Sequence, residues 1–190
     1  MTGDPGRLLW IGLPGRTVPH EVKGLLTQGK VGGVILFSRN LGTPEEIRDL
    51  TTELRGCSTE PLPIGVDQEG GRVRRLSFLP WPSAMQLSRC APAVIEEVGE
   101  RMGQELSWFG FNVDFAPVLD VLTNPDNKVI GDRAFGTTPE AVIRNAGAWI
   151  RGFSRSGLSC CGKHFPGHGH TLHDSHLTLP RAELTLQDLE

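Results

Sequence analysis

A chain of 190 residues, 38% hydrophobic and 22% charged, is sized and composed for one globular domain with a sizeable core. Its net charge of −3 and scattered arginines argue against a nucleic-acid groove or an anionic membrane surface as partner, and no apolar run approaches the roughly 18 residues of a membrane span. The partner left is small and polar.

In chain order, Leu8 to Leu13 reads as a first strand. It runs into Gly-Leu-Pro-Gly and lacks a small-residue cleavage site, so it does not read as a signal peptide. Thr17 to Gln28 is a short helix closed by Gly29, and Val31 to Phe37 a second strand. Thr43, Pro44 and Glu46 supply an N-cap, a proline at the first helical position and a capping-box glutamate. Ile47, Leu50 and Leu54 form the apolar face of that helix. Pro63 to Val66 is a third strand that runs straight into Asp-Gln-Glu-Gly-Gly-Arg. Ala91 to Phe109 has helical spacing of apolar residues and a Gly110 stop. Phe111 to Val121 reads as a fourth strand with its continuation, and Thr138-Pro139-Glu140 opens a helix ending near Gly157. Leu158 to Phe165 is a fifth strand. Cys57, Cys90, Cys160 and Cys161 show no framework spacing, which suggests free thiols in a reducing compartment, the cytoplasm.

Near-continuous apolar strands alternating with helices predict an α/β fold with a parallel sheet. Ser38-Arg39-Asn40, Asp67, Asp120 and Lys163-His164 lie at the ends of different strands, which favours a (β/α)8 TIM-barrel over a doubly wound sheet with one switch point. A complete barrel needs about 200 residues or more, and Thr185 looks like the cap of one more helix. The expectation is the N-terminal portion of a single barrel domain, cut after about five βα units, with no second domain in residues 1–190.

The fifth strand leads into K-H-F-P-G-H-G-H-T-L-H-D-S-H, which holds five of the six histidines. Pro166, Gly167 and Gly169 break it into a loop. Asp174 beside His176 can fix an imidazole's tautomer and stabilise its protonated form, making an acid/base near neutral pH. The alternative is a solvated aspartate with a capping histidine. Cys161, His164, His168, His170 and Asp174 are also zinc ligand types, but their spacing matches no familiar signature and the Lys163 charge would sit among them. Val66 to Leu76 offers a carboxylate, a glycine pair and arginines suited to gripping hydroxyls, or a plain βα turn with solvated arginines. Ile130 to Gly136 carries Arg133 as either a loop ion pair or a substrate contact.

Together, K-H-F-P-G-H-G with D-S-H-L, V-D-Q-E-G-G-R-V-x-R-L, N-V-D-F-A-P-V-L-D-V and I-G-D-R-A-F-G resemble the bacterial β-N-acetylhexosaminidases of glycoside hydrolase family 3, of the cell-wall recycling type. The likeness runs from about Leu8 to Glu190. It implies that His176 is the acid/base, oriented by Asp174, and that Asp67 with Arg75 nearby, Arg133, Lys163 and His164 hold an N-acetylglucosamine unit. It also implies a retaining exo-glycosidase acting on a terminal β-linked N-acetylglucosamine, as in anhydro-muropeptides. The nucleophilic aspartate would lie on a later strand outside these residues, so that 1–190 alone is expected to be inactive. No cofactor, metal, nucleic acid or membrane partner is expected, and the full-length form is expected to be a monomer. Two other readings were open: a phosphorylase of the same family, and a non-catalytic sugar-binding barrel remnant.

Overall fold

The computed structural model describes residues 5–171 and 177–181. The elements run β1 (Trp10–Gly12), α1 (His20–Thr27), β2 (Gly33–Leu36), α2 (Pro44–Cys57), β3 (Ile64–Val66), a hairpin of β4 (Gln68–Gly70) and β5 (Val73–Arg74), α3 (Ala84–Leu87), α4 (Pro92–Trp108), β6 (Val113–Asp114), α5 (Pro139–Ser154) and β7 (Ser159–Cys160).

Five strands form one parallel sheet in the order β1-β2-β3-β6-β7. Their order in space is their order in the chain. That is the succession of βα units in a (β/α)8 barrel, whereas a doubly wound sheet reverses at a switch point. Because the strands are parallel, their C-terminal ends share one rim, and the loops leaving that rim carry Asp67, Asp120 and Lys163.

The sheet and its helices close over one apolar core. Val34, Leu36, Ile64 and Val66 are fully buried and belong to the same cluster as Ile47 and Leu54 of α2, Ile95 and Leu106 of α4, and Trp149 and Phe153 of α5. Trp149 and Phe153 stack with ring centroids 4.6 Å apart. α2 begins where its sequence requires: the Glu46 amide donates to Thr43 Oγ1 (3.3 Å) and the Thr43 amide donates to Glu46 Oε2 (2.7 Å), with Pro44 following the cap.

Three elements differ from expectation. The fourth strand, expected over Phe111 to Val121, pairs as a strand only at Val113–Asp114. Pro117 has no N–H to give to a ladder, and pairing returns only as a single bridge between Val118 and Lys163. The fifth strand shortens correspondingly to Ser159–Cys160. The segment after β3, expected as a turn, folds into the β4–β5 hairpin. The helix expected from Thr185 lies outside the described residues.

Candidate active site

The hairpin explains why Asp-Gln-Glu-Gly-Gly-Arg follows β3. Residues two apart in extended chain share a face, so Asp67 and Glu69 point the same way while the intervening Gln68 turns into the core, where its Oε1 accepts from the Leu76 amide at 3.1 Å. Gly70 then reverses the chain with φ +91°, and a Cβ there would lie 2.3 Å from the Pro82 carbonyl oxygen. Only glycine satisfies both conditions.

Lys163, delivered by the segment after β7, enters between those two carboxylates. Its Nζ lies 2.8 Å from Asp67 Oδ1 and 2.6 Å from Glu69 Oε1. Arg75 Nη2 reaches the other Asp67 oxygen at 3.2 Å. Arg133 grips Glu69 with both ends of its fork, Nε to Oε2 at 2.8 Å and Nη2 to Oε1 at 2.9 Å. Arg133 Nη2 also lies 3.3 Å from His164 Nε2. The five sugar-binding candidates Asp67, Arg75, Arg133, Lys163 and His164 are therefore one contiguous cluster, assembled from four separate segments.

The histidine loop is docked on the segment that follows β6. Leu119 N donates to the Lys163 carbonyl (2.6 Å), Asn127 Nδ2 to the His168 carbonyl (2.6 Å), and Asn124 Nδ2 to the His170 carbonyl (3.3 Å). Gly169 lies so close to this segment that a Cβ would sit 1.8 Å from the Val121 carbonyl oxygen. A side chain there would push the two backbones apart. Asp120 accepts from His164 Nδ1 (2.6 Å), from the His164 amide (3.2 Å) and from the His168 amide. Beside the loop opens a cleft of about 720 Å³, with Asp120, Lys163, His164 and His170 in its wall. Asp174 and His176, expected as the acid/base pair, lie outside the described residues.

Charge is closely matched in the cluster. Lys163, Arg75 and Arg133 face Asp67, Glu69 and Asp120, three cations against three carboxylates. Burial pushes the Asp67 carboxyl up, but Lys163 and Arg75 outweigh it and hold the carboxyl below its usual range. Asp120 behaves likewise: burial raises it, and the bonds from His164 and His168 bring it lower. Burial also opposes the Arg133 charge, yet the Glu69 pair raises its affinity for the proton. Asp114, at the end of β6, goes the other way. It is wholly buried and its pKa rises well above the usual value, mainly from desolvation, although the Gln68 amide donates to its Oδ1 at 3.0 Å.

That contrast has a measurable consequence. The folded state holds the Asp114 proton above the pH at which an unfolded aspartate, with a pKa of about 3.9, releases it. In that window the native state binds more protons than the unfolded chain, so this group makes stability fall as pH rises, until the folded pKa is passed. Asp114→Asn should flatten that decline in a series of chemical denaturations above about pH 4. An unchanged slope would show that Asp114 ionises in the native state as it does in the unfolded chain.

Glu69 and Asp114 are the members of this arrangement that the sequence does not single out, and Asp120 stands out there only as a polar residue at a strand end. The signal for Glu69 was present in the two-residue offset from Asp67. Arg72 departs from the site altogether, pairing with Asp132 at 2.8 Å. Among the described residues no group of three or more histidine, cysteine, aspartate or glutamate side chains is placed to hold a metal ion. No helix among them is long and apolar enough to cross a membrane.

Residues 6–190 match the family model described as the glycosyl hydrolase family 3 N terminal domain. A β-hexosaminidase of Alkalilimnicola ehrlichii is 44% identical over 182 residues, covering 91% of this chain and 52% of its own length. NagZ from Neisseria gonorrhoeae, solved in complex with N-trifluoroacetyl-D-glucosamine, superposes with a TM-score of 0.88 at 38% identity, over 95% of this chain and 56% of that one. A glycoside hydrolase family 3 β-N-acetylglucosaminidase from Paenibacillus sp. also gives a TM-score of 0.88 at 38% identity, over 97% of this chain and 36% of that one. The chain spans about half the length of the curated relatives it matches.

Proposed function

We propose that this chain, which belongs to the glycosyl hydrolase family 3 N-terminal domain family, supplies the sugar-holding and acid/base side of a β-N-acetylhexosaminidase active site. The full-length protein then removes terminal β-linked N-acetylglucosamine, with anhydro-muropeptides of cell-wall recycling as the natural substrate class. Asp67, Arg75, Arg133, Lys163 and His164 hold the sugar, and His176 oriented by Asp174 gives and takes the proton at the scissile oxygen. The curated relatives are named β-hexosaminidase, and one solved relative holds an N-acylated glucosamine.

One observation carries the division of labour. Retaining hydrolysis needs a carboxylate nucleophile beside the acid/base, and each carboxylate described at this site is already engaged. Asp67 and Glu69 are tied to Lys163, Asp120 to the histidine loop, and Asp114 is wholly buried behind the Gln68 amide that bonds it. None is free to attack an anomeric carbon. This supports a nucleophile supplied from elsewhere in the full-length protein, with residues 1–190 as the first part of one barrel domain. The matched charges of the cluster suit an uncharged sugar and water as acceptor better than phosphate, whose charge would be left uncompensated. Cys57, Cys90, Cys160 and Cys161 are unbridged, which fits a protein working in the reducing cytoplasm, and the full-length form is proposed to be a monomer.

The test is an aryl N-acetyl-β-glucosaminide assay on two purified proteins. The full-length protein should release N-acetylglucosamine with the β configuration retained, and the 190-residue chain should release none. Turnover by the short chain would overturn the assignment of the nucleophile, and an inactive full-length protein would overturn the function.

A further inference from the structure

Asp120 has no part in the roles above, yet it is tightly placed. Its side chain is wholly buried, and three donors converge on it from one loop: His164 Nδ1 at 2.6 Å and the His164 amide at 3.2 Å on Oδ2, and the His168 amide on Oδ1. Three donors on one desolvated carboxylate are charge-assisted bonds that are strong and directional.

The other side of the His164 ring identifies the tautomer. Arg133 Nη2 stands 3.3 Å from His164 Nε2, and a guanidinium nitrogen only donates. Nε2 must therefore be the acceptor, and the ring's proton sits on Nδ1, where it is given to Asp120. With Asp120 in place, the one lone pair of His164 Nε2 faces Arg133 in the sugar cluster and accepts from its guanidinium. The same carboxylate also holds the loop backbone at the His168 amide.

We propose that Asp120 is a positioning residue of the histidine loop, setting His164 as a hydrogen-bond acceptor toward Arg133 in the sugar site and holding the loop backbone at His164 and His168. Its consequence for catalysis rests on the proposed glycosidase function, but the ring state it dictates does not.

Asp120→Asn separates this from general support of the fold, because an amide offers one acceptor where the carboxylate offers two. With its nitrogen toward His164, the ring must move its proton to Nε2, where it faces Arg133. With its nitrogen toward His168, that amide loses its acceptor. Side-chain nitrogen NMR on the 190-residue chain should find His164 with the proton on Nδ1. In Asp120→Asn, either the Nε2–H form should appear or the His168 amide should exchange with solvent faster. In the full-length protein the same substitution should lower kcat/KM by about 10- to 100-fold. A wild-type His164 protonated on Nε2 overturns the proposal even if the variant fails to fold. So does a folded variant with the tautomer, the His168 amide and kcat/KM unchanged. A wild-type full-length protein without glycosidase activity overturns the proposed function instead, and the NMR result then decides on Asp120 alone.

Discussion

In the full-length protein, His176→Ala should lower kcat by about 10²- to 10⁴-fold, the range that a positioned acid/base contributes, while KM for an N-acetylglucosaminide changes little. The separation of effects follows from where the groups lie in the chain. In the proposed function the sugar is held by a cluster built on β4, the loop after β6 and Lys163-His164, whose members bond to one another. Losing the proton donor therefore removes an interaction made in the transition state and leaves ground-state binding intact. The loss should shrink for aryl glycosides whose leaving phenol is acidic, because such a group departs with little help from a proton. Steady-state kinetics on two substrates differing in that acidity checks both points. A kcat within a factor of about two of wild type on the less acidic phenol would remove His176 from the reaction.

Glu69→Ala should destabilise the folded chain by about 3–5 kcal/mol, the cost of removing one partner from a buried ion pair. Glu69 faces two cations, and the side chains of Glu69, Arg133 and Lys163 are only 5%, 12% and 16% exposed. Without Glu69, Arg133 and Lys163 stay buried with one carboxylate fewer between them. Exposed pairs such as Arg101 with Glu97, 63% and 60% exposed, set the contrast, since pairs of that kind contribute about 0–1 kcal/mol. Denaturant melts of Glu69→Ala and Glu97→Ala side by side check the difference. A Glu69 loss below about 1 kcal/mol would mean that solvent screens the cluster despite its burial.

The fold was legible where local chemistry decides it. Thr43, Pro44 and Glu46 specify the start of α2 on their own, and the strand-end polar residues point to a shared rim. The extent of β6 was not legible, because Pro117 interrupts a run whose hydrophobic pattern continues to Val121. The site divides the same way. Asp67, Arg133, Lys163 and His164 stand out in their motifs, but Glu69 acquires its importance from Arg133 and Lys163, 64 and 94 positions later in the chain. Asp120 becomes distinctive only when the histidine loop folds back onto it across 44 and 48 positions. A single sequence shows which residues can carry charge. It does not show which of them meet in a place without water, and there the largest energies arise.

The sheet order described above has a consequence for how the chain is made. Since every strand pairs with the strand immediately before it in the sheet's own succession, a chain leaving the ribosome never waits for a distant partner. β2 finds β1 already synthesised, β3 finds β2, and each addition buries the previous edge while exposing one new one. Assembly can advance vectorially, one βα unit at a time, with short loop closures at every stage. The functional cluster is the exception. Lys163 must meet Asp67 and Glu69 across the intervening β6, so this charged cluster is completed only after β7 has joined.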